Sequence, residues 1–186
     1  YDPTSFYWRG RVHEVIVPRQ PVHWTRSQKV VIRHNHQAGG IRSDRNLTLL
    51  KMMHEEDPND KRVLYYMGHQ HFADSNWQAA AEWYDRYVRV ADNQLEQWHA
   101  YVYMAKALRK LERYEHALAA SLAAVGMYPQ WKDGWYELAE TYAYREEYQN
   151  CLDIAAFGHT REVPPRVLFI NPLEQLGYNV GLFEEV

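Results

Sequence analysis

Apolar and small residues recur at helical spacing between Lys61 and Val163, and this pattern is repeated three times. Each copy contains one anchoring aromatic residue, and the three are Trp77, Tyr114 and Tyr148. The spacings between these anchors are 37 and 34 residues. An internal period near 34 residues predicts a stack of helix-turn-helix units.

The same pattern predicts seven helices, in which a helix A and a helix B alternate after a single leading helix. Their expected bounds are 44–56, 61–73, 77–90, 95–109, 114–127, 132–145 and 148–160. In the first copy the small residues Gly68 and Ala80 would let the two helix backbones approach closely. Trp77 and Tyr84 would fill the space beside them.

The repeated unit resembles the tetratricopeptide repeat, whose pattern is W-x2-L-G-x2-Y, then A-x3-F, then P. The resemblance covers a little over half of the chain. It implies a mainly α-helical solenoid over residues 41–163, with about three repeats and a leading helix. The turn between helices A and B departs from the family pattern, because Ser75, Glu112 and Glu146 stand where glycine is usual. An unrelated stack of helical hairpins is the alternative, and the three aligned copies argue against it.

Residues 1–40 predict a β-rich segment. The ranges 11–17 and 29–34 are rich in β-branched residues and are the strand candidates. Two short strands do not form a stable sheet alone, so we expect them to pair with further structure. At the other end, residues 164–186 are expected to cap the solenoid or to begin a further repeat.

Three N-terminal segments carry a second resemblance: 8–14 (WRGRVHE), 31–34 (VIRH) and 45–47 (RNL). Together they resemble the end of a family 2 glycosyltransferase domain of the GT-A type that leads into tetratricopeptide repeats. The nucleotide-binding half and the Asp-x-Asp motif of that family are missing. The resemblance therefore implies the C-terminal part of an enzyme, with a GT-A catalytic domain upstream.

In such an enzyme a divalent metal (Mn or Mg) and a sugar nucleotide take part, and neither is expected to bind this chain alone. The resemblance places His13 near the metal or the diphosphate, and Glu14 beside it as the catalytic base. Adjacent strand residues point to opposite faces, so both could serve one site only where the strand ends or bulges. An edge strand with solvated polar residues is an equally open interpretation.

Helix A residues would line the concave face of the solenoid, where a protein or peptide could bind. The predicted groove residues are Arg62, Tyr65, Tyr66, His69, Phe72, His99, Tyr103, Lys106, Asp133, Tyr136, Glu137 and Glu140. Family members that clamp a C-terminal carboxylate use basic groove residues, but Asp133 and Glu137 have the opposite charge. A groove rich in tyrosine favours an extended peptide or a glycan-bearing surface.

The net charge of −3 gives no global field that would favour nucleic acid or an anionic membrane. No apolar run reaches the roughly 18 residues that a membrane span needs. The single cysteine, Cys151, excludes an internal disulfide, and a cytoplasmic protein is expected. Arg109, Lys110 and Arg113 predict a small, solvated basic edge.

Two hypotheses about function follow. The first is the C-terminal part of a family 2 glycosyltransferase, in which the repeats position a protein acceptor. The second is a stand-alone tetratricopeptide module that binds protein without catalysis. A coding sequence that continued upstream of Tyr1 into a GT-A domain would favour the first.

Overall fold

The computed structural model describes residues 4–12, 15–23 and 43–165, and the chain folds as two compact units, Tyr1–Pro58 and Asn59–Val186. The first unit contains β1 (Phe6–Arg9), β2 (Val15–Pro18) and α1 (Ser43–Glu56). The second unit contains α2 (Lys61–Ala73), α3 (Trp77–Val88), α4 (Gln94–Lys110), α5 (Tyr114–Met127), α6 (Lys132–Tyr144) and α7 (Tyr148–His159). Every predicted helix is present, and each end lies within two residues of its expected position. The mainly α-helical fold is confirmed.

In the first unit β1 and β2 form an antiparallel hairpin in which Trp8 lies opposite Ile16. The prediction of a strand over 11–17 is wrong at its beginning, because pairing starts only at Val15. Gly10 has a φ of 97°, which opens the turn and removes the next residues from the ladder. The other predicted strand, 29–34, lies outside the described residues.

The turn of this hairpin is joined to α1 in the same unit. Arg11 forms an ion pair with Glu56, and its backbone N–H lies 3.4 Å from Met53 Sδ. Val12 is buried.

In the second unit consecutive helices pack as pairs, and small residues set how closely they approach. A Cβ added to Gly68 would lie 2.6 Å from Tyr84 Cε1, which is too close for two carbon atoms. In the third pair a Cβ on Gly158 would lie 2.6 Å from Trp135 Cβ. The predicted role of Gly68 as a close-packing position is therefore confirmed.

The three turns between paired helices share one geometry. Ser75, Glu112 and Glu146 have φ values of 57°, 58° and 62°, in the left-handed region that glycine usually occupies. In the first turn the N–H of Ser75 donates to Phe72 O and the N–H of Asn76 donates to His71 O, at 3.0 and 2.8 Å. Equivalent bonds close the other two turns, so each helix A ends in a Schellman motif.

The chain after α7 returns to the start of α6. Lys132 N donates to Glu162 O at 2.9 Å, and Glu162 N donates to Gln130 O at 2.7 Å. Pro164 is buried, and the rest of the predicted C-terminal cap, 166–186, lies outside the described residues. Within the described part of the chain, no helix combines the length and apolar composition needed to cross a bilayer.

Candidate protein-binding face

The three A helices, α2, α4 and α6, contact one another in succession and bring the predicted groove residues to one side of the second unit. The residues that keep partial exposure are Arg62, Tyr66, His69, Phe72, Tyr103, Lys106 and Glu140. The remaining predicted residues are buried: Tyr65, His99, Asp133, Tyr136 and Glu137. The accessible part of the face is thus narrower than the predicted groove. Its use in binding stays a prediction.

Histidine and tyrosine side chains join α2 to α4. The Tyr65 hydroxyl lies 2.9 Å from His99 Nδ1, and the Tyr84 hydroxyl lies 3.1 Å from His69 Nδ1. The two imidazole centroids are 5.0 Å apart, and Tyr103 lies 4.5 Å from the ring of His99. These contacts hold the first two repeats in one arrangement.

Burial decides the protonation states in this cluster. It lowers the pKa of His99 well below its ordinary value, and the charges of His69 and Lys106 act in the same direction. It also raises the pKa of the Tyr65 and Tyr84 hydroxyls. At neutral pH His99 is therefore uncharged and both phenols keep their protons.

A strip of partly exposed aromatic rings lies beside this cluster. Phe72 packs edge-to-face against Trp77 and Tyr103, with centroid distances of 5.0 and 4.8 Å. Arg62 lies over the ring of Tyr66, 5.4 Å from its centroid. The strip offers flat apolar area that is held in place by its neighbours.

Between α4 and α6 the face is closed by ion pairs. Arg109 Nη2 lies 2.8 Å from both Glu137 Oε2 and Glu140 Oε2, and Arg109 Nη1 donates to Thr141 Oγ1 at 3.1 Å. Lys106 Nζ completes the group at 3.0 Å from Glu137 Oε1. The acidic residues of the third repeat therefore neutralise the basic residues of the second.

The prediction that Arg109 belongs to a solvated basic edge is wrong, because its side chain is buried among these carboxylates. A signal existed in the sequence. Arg109 follows Lys106 by three residues, so both lie on one face of α4, and Glu137 and Glu140 have the same spacing on α6.

Burial and pairing oppose each other at Glu137. Burial acts to raise the pKa of this carboxyl, but Lys106 and Arg109 together outweigh it, so the pKa is lowered. Burial likewise acts to lower the pKa of Lys106, and the attraction of Glu137 leaves it raised. Both side chains are therefore charged, with opposite signs, at neutral pH.

The predicted metal and catalytic residues, His13 and Glu14, lie outside the described residues. Within 4–12, 15–23 and 43–165, no three His, Cys, Asp or Glu side chains come together as a metal site. The metal and the sugar nucleotide stay predictions of the glycosyltransferase resemblance.

No known family model and no curated protein matches the sequence. Solved structures of MamA, a helical repeat protein, are similar in fold. MamA MSR-1 has a TM-score of 0.57 and 17% sequence identity, with 63% of this chain and 66% of that chain covered. MamA 41-end from Desulfovibrio magneticus RS-1 has a TM-score of 0.56 and 22% identity, with 62% and 64% covered.

This chain has the tetratricopeptide-like solenoid fold. The matched part of the solenoid spans just under two thirds of those MamA chains. At these identities the similarity concerns the fold alone. Nothing in the comparisons supports the glycosyltransferase resemblance.

Proposed function

We propose that this chain is a protein-interaction module, and that the A-helix face of its first two repeats binds an extended peptide. The observation that carries the proposal is the strip of partly exposed rings, Tyr66, Phe72 and Tyr103, on the same face as His69. Large aromatic side chains with one polar atom are enriched in protein interfaces, where they contribute much of the binding energy.

The strip is preorganised for binding. Phe72 is held between Trp77 and Tyr103, while Tyr103 also packs against His69 at 5.3 Å. Rings that are already fixed lose little conformational entropy when a peptide covers them. The rigid helix pairs below supply the backbone support.

The charges of the face favour apolar peptide side chains over a C-terminal carboxylate. Lys106 and Arg109 are both paired with Glu137, so a carboxylate arriving there would have to compete with a buried ion pair. We therefore expect peptides that place apolar or aromatic side chains against Tyr66, Phe72 and Tyr103.

Selection from a displayed library of random peptides, with the 186-residue protein immobilised, tests this proposal. Selected peptides would be labelled and titrated by fluorescence anisotropy against Tyr66→Ala, Tyr103→Ala and the control Tyr148→Ala. Tyr148 is exposed on α7, away from the A-helix face, and loses the same atoms. We expect each face variant to weaken binding about 10-fold or more and the control to bind as the unaltered protein.

Failure to select any peptide, or equal binding by all variants, would overturn the proposal. A loss with Tyr148→Ala as large as that with Tyr103→Ala would place the interaction on another surface. Melting curves of each variant by circular dichroism would show whether it is folded.

One observation favours the glycosyltransferase hypothesis as a second candidate. Trp8 and Ile16 are cross-strand partners in the hairpin, and their exposed fractions are 57% and 41%. We propose that this apolar pair packs against a larger sheet, as the end of a GT-A domain would. The test is the upstream coding sequence: without a GT-A domain there, this candidate is discarded. With one, His13→Ala in the full-length enzyme should lower turnover about 10-fold to 1000-fold.

A further inference from the structure

A second cavity lies on the other side of the second unit, between the B helices α3 and α5. Its volume is about 470 Å³, and its floor is formed by Tyr101, Met104 and Leu108 of α4. At 3.6 residues per turn these three point away from Tyr103 and Lys106 on the same helix. The cavity is therefore separate from the A-helix face.

The cavity exists because small residues face each other across it. Ala81 of α3 and Ala119, Ala120 and Ala123 of α5 line its walls. Alanine leaves the space between two neighbouring helices unfilled, where a larger side chain would close it. The resulting volume is within the usual range of ligand pockets, roughly 300–1,000 Å³.

Charged residues of opposite sign stand on the two rims, but only one rim is already neutralised. On the α3 side, Arg89 donates two hydrogen bonds to Asp85, at 3.0 and 2.9 Å, and Gln78 donates one to Glu82. On the α5 side, Arg113 and His116 are exposed. Within the described part of the chain, no carboxylate lies within salt-bridge distance of either. The charge that is available at the mouth is positive.

We propose that this cavity binds an acidic amphipathic peptide segment, and so gives the solenoid a second docking site. Apolar side chains of the segment, such as leucine or methionine, fill the alanine-lined space above Met104 and Leu108. An aspartate or glutamate of the segment pairs with Arg113, whose planar guanidinium can bind a carboxylate through two hydrogen bonds. A helix laid in an apolar groove is an established mode of peptide recognition.

The occupant follows from two features of the cavity. Its apolar floor and walls require a ligand with a large apolar surface. The uncommitted cations at its mouth require a negative charge at the edge of that surface. An apolar peptide without an acidic residue would leave Arg113 unused, and a basic one would be repelled by it.

The experiment uses displayed random peptides and the 186-residue protein with Tyr66→Ala and Tyr103→Ala, which disable the A-helix face. Peptides that also bind the Ala119→Leu form of this protein are removed before sequencing. Ala119 is exposed at the edge of the cavity, so leucine there obstructs the space without entering the helical core. We expect the remaining peptides to combine leucine, isoleucine or methionine with aspartate or glutamate.

Labelled peptides from this selection are then titrated against charge variants. Arg113→Glu should weaken binding about 10-fold or more, and Arg113→Lys by less. The matched control is Lys110→Glu, which makes the same charge change at an exposed residue that does not line the cavity. It should bind as the parent does. Because the face variants are present throughout, success or failure here is independent of the proposed function.

Three results would overturn the inference. The first is that no peptide survives removal by the Ala119→Leu form. The second is that the surviving peptides lack acidic residues, or bind Arg113→Glu as tightly as the parent. The third concerns sodium octanoate, an apolar acid that is not a peptide. If octanoate binds with the same dependence on Arg113 while no peptide does, the cavity is a small-molecule site.

Discussion

Arg109 and Glu137 are 28 residues apart in the sequence and are joined by a 2.8 Å salt bridge in which both side chains are almost completely buried. The pair connects α4 of the second repeat to α6 of the third. Removing one partner leaves an uncompensated charge in a region of low dielectric constant, whereas an exposed pair loses little.

We predict that Glu137→Ala lowers the free energy of unfolding by about 3–5 kcal/mol. The physical reason is that Arg109 and Lys106 both lose their counter-charge while they stay largely buried. Urea denaturation followed by circular dichroism measures this change. Asp92→Ala, which removes an exposed partner of Lys61, is the control and should change stability little. An equal effect of the two substitutions would refute this account of the buried pair.

Glycine substitutions separate close packing from helix propensity. We predict that Gly68→Ala destabilises the protein by about 1–3 kcal/mol, because the new methyl group overlaps the Tyr84 ring. Gly126 is also helical, but no atom would lie within 4 Å of an added Cβ. Gly126→Ala should therefore stabilise the protein by about 0.5–1 kcal/mol. Thermal and urea denaturation of both variants would show opposite signs, and a shared sign would contradict the packing argument.

The left-handed turn residues predict a gain in stability. Glu112→Gly and Glu146→Gly should each raise the free energy of unfolding by about 0.5–1 kcal/mol, since glycine adopts positive φ without the penalty of a Cβ. The control is Glu82→Gly within α3, which should destabilise by about 1 kcal/mol. If Glu112→Gly were as destabilising as Glu82→Gly, the backbone strain at this turn would be disproved.

Stability should depend on pH through His99, whose pKa in the folded state is lowered, first by burial. Below its ordinary pKa of about 6.5 the unfolded chain binds a proton at this residue and the folded chain does not. The unfolded state then binds more protons, so the contribution is complete above about pH 6.5 and is lost as the pH falls below it. Between about pH 6.5 and 5.5 we expect a loss on the order of 1 kcal/mol from this residue.

Denaturation of the unaltered protein and of His99→Gln at several pH values measures this contribution. Glutamine keeps a polar group near Tyr65 but cannot titrate. The variant should lose less stability over the same interval. A slope identical to that of the unaltered protein would show that His99 is not the responsible group.

Much of the fold is local in origin and could be predicted from the sequence. Helix ends agree within two residues because each helix carries its own apolar periodicity and ends at a turn. The role of Gly68 was also predictable, since a small residue at a repeated packing position has a simple steric meaning. The three unusual turn residues could be located, although their positive φ was visible only in the structure.

The candidate sites depend more strongly on packing between repeats. Tyr136 and His99 share the spacing of groove residues, yet both are buried, because periodicity gives the face of a helix and not what covers it. Arg109 could be assigned to solvent on local grounds, and only the approach of α6 places two carboxylates beside it.

The sequence by itself determined where the helices begin and end and that they form a repeated stack, because those features depend on neighbours within a few residues. Only the tertiary structure decided which charges neutralise one another and where space is left open. The Arg109–Glu137 pair and the cavity between α3 and α5 both join residues from different helices. Their geometry depends on the distance and angle between those helices, and both are set by the whole packed core.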